Sequence, residues 1–191
     1  MIIDDKKLKF IQLYKTIFYR KCKFQTNSED KQIQIIVNAL NIKNRKKRIT
    51  YIYDTSCDFV DDFYNRGNIC GFKNSQCYIQ QKKKSGLKNG CCRKCLYASN
   101  KGCTTKNLAC KLFNCSEVKC RRNTIKFKNL KVLKVLSIRQ RFIIKSDFFS
   151  LRESVLKDLY SYSIIYSVIR LGIRFIKNMI IFNHGHKIQE Q

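Results

Sequence analysis

Residues 90–115 read GCCRKCLYASNKGCTTKNLACKLFNC and carry Cys91, Cys92, Cys95, Cys103, Cys110 and Cys115. Just upstream, residues 70–77 read CGFKNSQC and add Cys70 and Cys77. Eight cysteines in so short a stretch set the reading of everything around them. Cys92-Arg93-Lys94-Cys95 is a CxxC, and its two intervening residues let the chain turn so that both sulfurs meet one ion. Arg93, Lys94, Lys101, Lys106 and Lys111 stand among the cysteines. Positive neighbours lower a thiol's pKa and favour the thiolate, which is the form that binds metal. Gly71, Gly90 and Gly102 each adjoin a cysteine, where a tight ligand loop calls for positive φ. Sulfur-only ligation suits zinc or an iron–sulfur centre. The expected ligands are therefore Cys70, Cys77, Cys91, Cys92, Cys95, Cys103, Cys110 and Cys115. Cys22 reads as an ordinary residue, and Cys57 and Cys120 are left open.

Two other readings compete. A disulfide framework needs an oxidising compartment. The N-terminus, MIIDDKKLKFIQLYKTIFYR, has acids and lysines among its apolar residues and lacks the pattern of a secretory signal. Buried thiols can act as small hydrophobes, but that does not account for their crowding. No transmembrane helix is expected: the longest candidate, residues 159–182, is broken by Arg170, Arg174 and Lys177. A reducing, cytoplasmic setting is the expectation, in which cysteines serve as ligands or reactive thiols. His184 and His186 offer nitrogen ligands but read as part of a solvated tail.

The chain has 191 residues, with 40 Lys+Arg against 13 Asp+Glu and a formal charge of +27. Residues 1–56 hold 13 basic and 5 acidic side chains, residues 57–120 hold 12 and 4, and residues 121–191 hold 15 and 4. The charge is thus spread evenly, and a field of that sign attracts polyanions such as nucleic acid or anionic lipid. With 44% hydrophobic residues there is enough apolar material for a packed core.

Outside the cysteine segment the patterning is helical, and the expected fold is mainly α. A small irregular cysteine-rich module at 57–120 is flanked by a basic helical segment at 1–56 and a helical segment at 121–191 that packs on it. Phe10, Leu13 and Ile17 recur at helical spacing, as do Leu8, Ile11, Tyr14 and Phe18. Asn27 or Ser28 caps a helix whose apolar stripe is Ile33, Ile36, Val37 and Leu40. The basic run Arg45, Lys46, Lys47 and Arg48 ends or follows that helix. Ile49 to Tyr53 has the composition of a short strand or an extended linker. Ser146-Asp147 caps a later helix bearing Val155, Leu156 and Leu159. In the last helix Val168, Leu171, Phe175, Ile176 and Met179 face the core, with Arg170, Arg174 and Lys177 as a solvated basic edge; the same pattern also permits a membrane-surface helix bound to anionic lipid.

The stretch CLYASNKGCTTKNLACKLFNC, residues 95–115, resembles the second half of the YkgJ-type cysteine-cluster proteins. These are bacterial proteins described as zinc- or iron-chelating, with flagellin lysine methylases as relatives. Cys95, Cys103, Cys110-Lys111 and Phe113-Asn114-Cys115 carry the resemblance. That family's first half is a compact CxxCxxCC, where this chain has Cys70, Cys77 and a separated Cys91-Cys92. The resemblance implies chelation through the eight cysteines and says nothing of the flanks. A metal- or cluster-binding protein is the leading expectation. A nucleic-acid-binding zinc module is the first alternative, resting on Arg45, Lys46, Lys47 and Arg48 with Tyr51, Tyr53, Tyr78 and Tyr97 near basic residues. A redox or methyltransferase-like enzyme is the second. No Gly-rich cofactor loop, HExxH or carboxylate–His pair is present to support it. Asp58, Asp61 and Asp62 read as a solvated helix start.

Overall fold

The computed structural model describes residues 1–18, 21–71, 73, 81, 98–99, 102–103, 106–113, 119, 124–148, 150–161 and 163–187. Of residues 98–99, 102–103, 164, 178–179 and 181–187 only the backbone is described. The architecture is mainly helical. Its helices are α1 (Ile11–Phe18), α2 (Lys31–Asn41), α3 (Arg45–Arg66), α4 (Leu108–Lys111), α5 (Ile138–Ser146), α6 (Arg152–Tyr160) and α7 (Ile164–Lys187). Short 3-10 turns occupy Lys7–Phe10, Phe127–Asn129 and Lys131–Val135. A two-residue ladder, β1 (Ala98–Ser99) with β2 (Gly102–Cys103), pairs antiparallel.

Helix α3 is the axis of the core. Ile49, Ile52, Tyr53, Ser56, Cys57 and Val60 are its buried positions, an i, i+3, i+4, i+7 stripe. Around it pack α2, the 131–135 turn, α4 and α6. Ile33, Ile36, Val37 and Leu40 are buried on α2, as the sequence pattern requires. Leu130, Val132, Leu133, Val135 and Leu136 fill the gap between α2 and α3. Residues of the first sixty and of 108–159 thus share one buried cluster. The division at 56/57 falls inside α3, which runs on to Arg66.

Several local expectations are corrected. Residues 49–53 are helical rather than a strand: the buried stripe along α3 outweighs their β-branched and aromatic composition. Of the two readings of the basic run, that it follows α2 holds and that it ends α2 does not: it opens α3, with Asn44 as N-cap accepting from the Lys47 N–H at 3.0 Å. Asp30, not Asn27 or Ser28, caps α2, accepting from Gln32 N–H at 2.7 Å. Ser28 shapes the turn ahead of it by accepting from the Asp30 N–H. Ser146 ends α5 and Asp147 lies beyond it, so neither starts α6. At the N-terminus Leu8 in the 3-10 turn and Ile11 on α1 are buried, while Phe10, Leu13 and Ile17 are exposed.

The last helix departs furthest from expectation. Ser167, Arg170, Leu171 and Arg174 turn toward the protein, and Val168, Phe175 and Ile176 face outward. Arg174 reaches the carboxylates of both Asp147 and Asp158. Arg170 Nε lies 2.9 Å from Asp158, close enough for an ion pair though not aligned as a hydrogen bond. Asp147 is 3% exposed and Asp158 0%, so each needs a cation beside it to remain charged inside the fold. Arg139 adds a hydrogen bond to the Ser167 hydroxyl at 2.9 Å. Arg170 and Arg174, predicted to be solvated, are therefore the anchors of this helix, while Lys177 is exposed as expected.

Candidate metal centre

Cys70 lies just past the end of α3, and Cys110 lies on α4. Helix α3 stops in a Schellman motif. Asn68 takes the left-handed conformation at φ 39°, its N–H donates to the Asn65 carbonyl, and the Ile69 N–H donates to that of Tyr64. Asn is a common substitute for Gly at that position. Cys70 follows, half-buried, and Gly71 adopts φ 60°. The positive φ expected of a glycine beside a ligand cysteine is present at this one.

The start of α4 is held firmly. Tyr53 Oη on α3 donates to the Lys106 carbonyl at 3.0 Å and accepts from the Leu108 N–H at 3.2 Å. Asn107 is buried. Its side-chain oxygen caps α4 by accepting from the Cys110 N–H at 2.9 Å. Its amide nitrogen donates to the carbonyls of Asp147 and Ser150 at 2.8 and 3.0 Å. Lys106 pairs with Asp58 at 3.2 Å and Lys111 with Asp61 at 2.6 Å. The acidic cluster of α3 is therefore no solvated helix start: it lies in the helix's later turns, and two of its three acids clasp the flanks of α4. Asp62 pairs with Arg66 one turn on. Both ends of the cysteine segment are thus fixed to one helix.

Among the expected ligands, Cys110 lies half-buried on α4 and Cys70 half-buried past α3. Cys103 is described by its backbone, at the end of β2 and opposite Ala98. Cys77, Cys91, Cys92, Cys95 and Cys115 lie outside the described residues, as does Cys120. Among the described residues no three His, Cys, Asp or Glu side chains gather as a metal site.

Cys57 has a different character. It is fully buried, and burial pushes its thiol up to about 12, helped by Asp61, Asp54 and Asp58 and opposed by Lys111. That environment keeps it protonated, so it packs as a small apolar residue. Cys22 is half-buried, with its thiol 3.6 Å from the Phe18 carbonyl.

The basic run is partly consumed by the fold. Arg45 donates to the carbonyls of Tyr160 and Leu159 at 2.7 and 3.5 Å. Arg48 donates to that of Ile42 at 2.9 Å. These acceptors are the C-terminal carbonyls of α6 and the one just past α2, where a cation is favoured. Lys46 and Lys47 are exposed, with Lys46 5.8 Å from the centre of the Tyr160 ring. Beside α4 lies an open groove of about 800 Å³, whose lining includes Phe113, Phe127, Phe148, Lys119, Lys126 and Lys145.

The sequence reading gave Tyr53 a base-stacking role that its burial on α3 rules out, and it missed Asn107 and the Asp58–Lys106 and Asp61–Lys111 pairs. Asn107 had a visible signal: a capping residue type immediately before a short apolar helix. The ion pairs had none, because they join residues about fifty positions apart. No protein-family model, curated protein or solved structure matches the chain.

Proposed function

We propose that the chain is a metal-binding protein whose 70–115 segment holds zinc or an iron–sulfur centre through clustered thiolates. The observation that carries this is the run of eight cysteines among lysines and arginines, with Cys70 just past α3 and the residues on either side of Cys110, Lys106 and Lys111, held to α3. Clamping shortens the distance the intervening chain must span and reduces the entropy cost of gathering its thiolates. The positive φ at Gly71 suits a tight turn beside a ligand cysteine. The resemblance of residues 95–115 to the YkgJ-type cysteine-cluster proteins supports the same reading. Cys57 is left outside the proposed ligand set because it is fully buried on α3, packed in the hydrophobic core.

The experiment is quantification of metal and acid-labile sulfide, with an absorption spectrum, on protein purified without oxygen. Colourless protein with stoichiometric zinc indicates thiolate zinc sites. Brown protein with iron and sulfide indicates a cluster. Protein free of both metals, whether purified with or without oxygen, defeats the proposal. Cys92→Ser with Cys95→Ser lowers the metal content, whereas Cys22→Ser leaves it unchanged.

A further inference from the structure

Helix α7 is turned inside out relative to an ordinary surface helix. Its inner side is fastened by ions: Arg174 on Asp147 and Asp158, and Arg170 on Asp158. Its outer side is apolar. Ile165, Ile169, Ile173, Phe175, Ile176 and Ile180 are all exposed by more than half, Ile165 by 73%. At 100° per residue they fall on one arc of the helix, and no described acidic or basic side chain interrupts it. Lys177 stands at the edge of that arc and is exposed. An exposed apolar stripe of this length on a single helix costs free energy in water unless something covers it.

We propose that the outer face of α7 lies flat on an anionic lipid surface. Charge decides the occupant. The chain carries +27, so a second copy presents a like-signed field, while an anionic bilayer presents the complementary one. Insertion across the bilayer is not the mode, since no helix among the described residues is long and apolar enough to span it. A helix with a broad apolar face, edged by Lys177 on a chain of charge +27, is suited to the interface plane, its side chains seated between headgroups and acyl chains. The buried ion pairs let α7 present isoleucines outward without losing its attachment to the fold. This inference concerns α7 alone and stands independently of the metal-binding proposal.

The chain contains no Trp, so Phe175→Trp gives a single reporter on the exposed arc. The full-length F175W protein is mixed with vesicles of phosphatidylcholine alone and of phosphatidylcholine with about one-third phosphatidylserine, an anionic lipid. The expected result is co-flotation with the anionic vesicles and a blue shift of Trp emission, both weakened by salt. Ile169→Asp with Ile176→Asp, on exposed positions, preserves the circular dichroism and weakens binding on the order of 100-fold, since two apolar anchors are lost. Undiminished binding of that variant means adsorption by charge alone and overturns the proposal. So does equal binding to neutral vesicles, or no binding to either. A wild-type dimer that the double variant converts to monomer, without vesicle binding, assigns the face to a second copy and overturns it as well.

Discussion

Cys57 and Lys15 carry ordinary chemistry in the sequence and altered chemistry in the fold. Burial on α3 keeps the Cys57 thiol protonated at neutral pH, with a pKa near 12. In folded protein Cys57 therefore resists alkylation by iodoacetamide at pH 7.5, and it becomes labelled in urea, as peptide mass spectrometry reads. Labelling in the folded state at the rate of Cys22 contradicts that burial. Lys15 lies half-buried on α1, its ammonium donating to the Val135 carbonyl at 2.9 Å. Burial first, then Arg48 and Arg45, lower its pKa from 10.5 to about 8. Between pH 8 and 10.5 the folded state has released this proton and the unfolded state retains it, so stability attributable to Lys15 rises with pH across that window. Below pH 8 both states are protonated and the cost is constant. The gain is about 1–2 kcal/mol once solvent screening of a half-buried group is allowed for. Lys15→Met abolishes that increment, measured as the change in urea midpoint between pH 7.5 and 10. An equal rise in the variant assigns the effect to the general loss of positive charge.

Helix α7 shows why amphipathic patterning located an element and misplaced its faces. Periodicity identifies two sides, and the usual rule turns the apolar one inward. Here Asp147 and Asp158 are buried at the docking surface, and an unpaired buried carboxylate is costlier than an exposed isoleucine. The arginines therefore take the inner side. Arg174→Ala leaves both aspartates short of a partner and destabilises the fold by about 3 kcal/mol, visible as a lowered urea midpoint. A loss below about 0.5 kcal/mol places this pair among weak surface ion pairs instead. Helix α5 was legible in principle: Ser137-Ile138-Arg139-Gln140 is a capping box. The Ser137 hydroxyl accepts from the Gln140 N–H, and the Gln140 side chain accepts from the Ser137 N–H at 3.0 Å. Ser137→Ala costs about 1 kcal/mol, and a neutral outcome in thermal unfolding discounts the cap. The strand expected at 49–53 failed for the converse reason. Five residues read in isolation favoured extension, while the stripe from Ile49 to Val60 became visible only over three helical turns.

The described core draws on residues 3–60 and 108–159, and the expected ligands Cys70 through Cys103 fall between those two parts. A chelator that strips the centre is accordingly expected to leave most of the far-UV helical signal while making the 70–105 segment more sensitive to protease. Collapse of the helical signal on chelation shows instead that the centre supports the whole fold, as in small metal-folded domains. Ile52 sits at the middle of this core, wholly buried on α3. Ile52→Ala costs about 2–5 kcal/mol through lost burial and the cavity left behind, and a smaller shift in the unfolding midpoint argues that neighbouring side chains close the gap.

Composition and spacing alone established that this is a basic, mainly helical chain with its cysteines gathered in one segment, and they marked the stripe of α2. Those properties are local: periodicity, charge and residue type act within a few turns of backbone. The pinning of both ends of the cysteine segment to α3 required the fold. So did the removal of Arg45 and Arg48 onto helix-end carbonyls, the isolation of Cys57 and the reversal of α7. Each depends on which distant group occupies the neighbouring space, and burial turns that adjacency into an altered pKa, an obligatory ion pair or an outward-facing isoleucine.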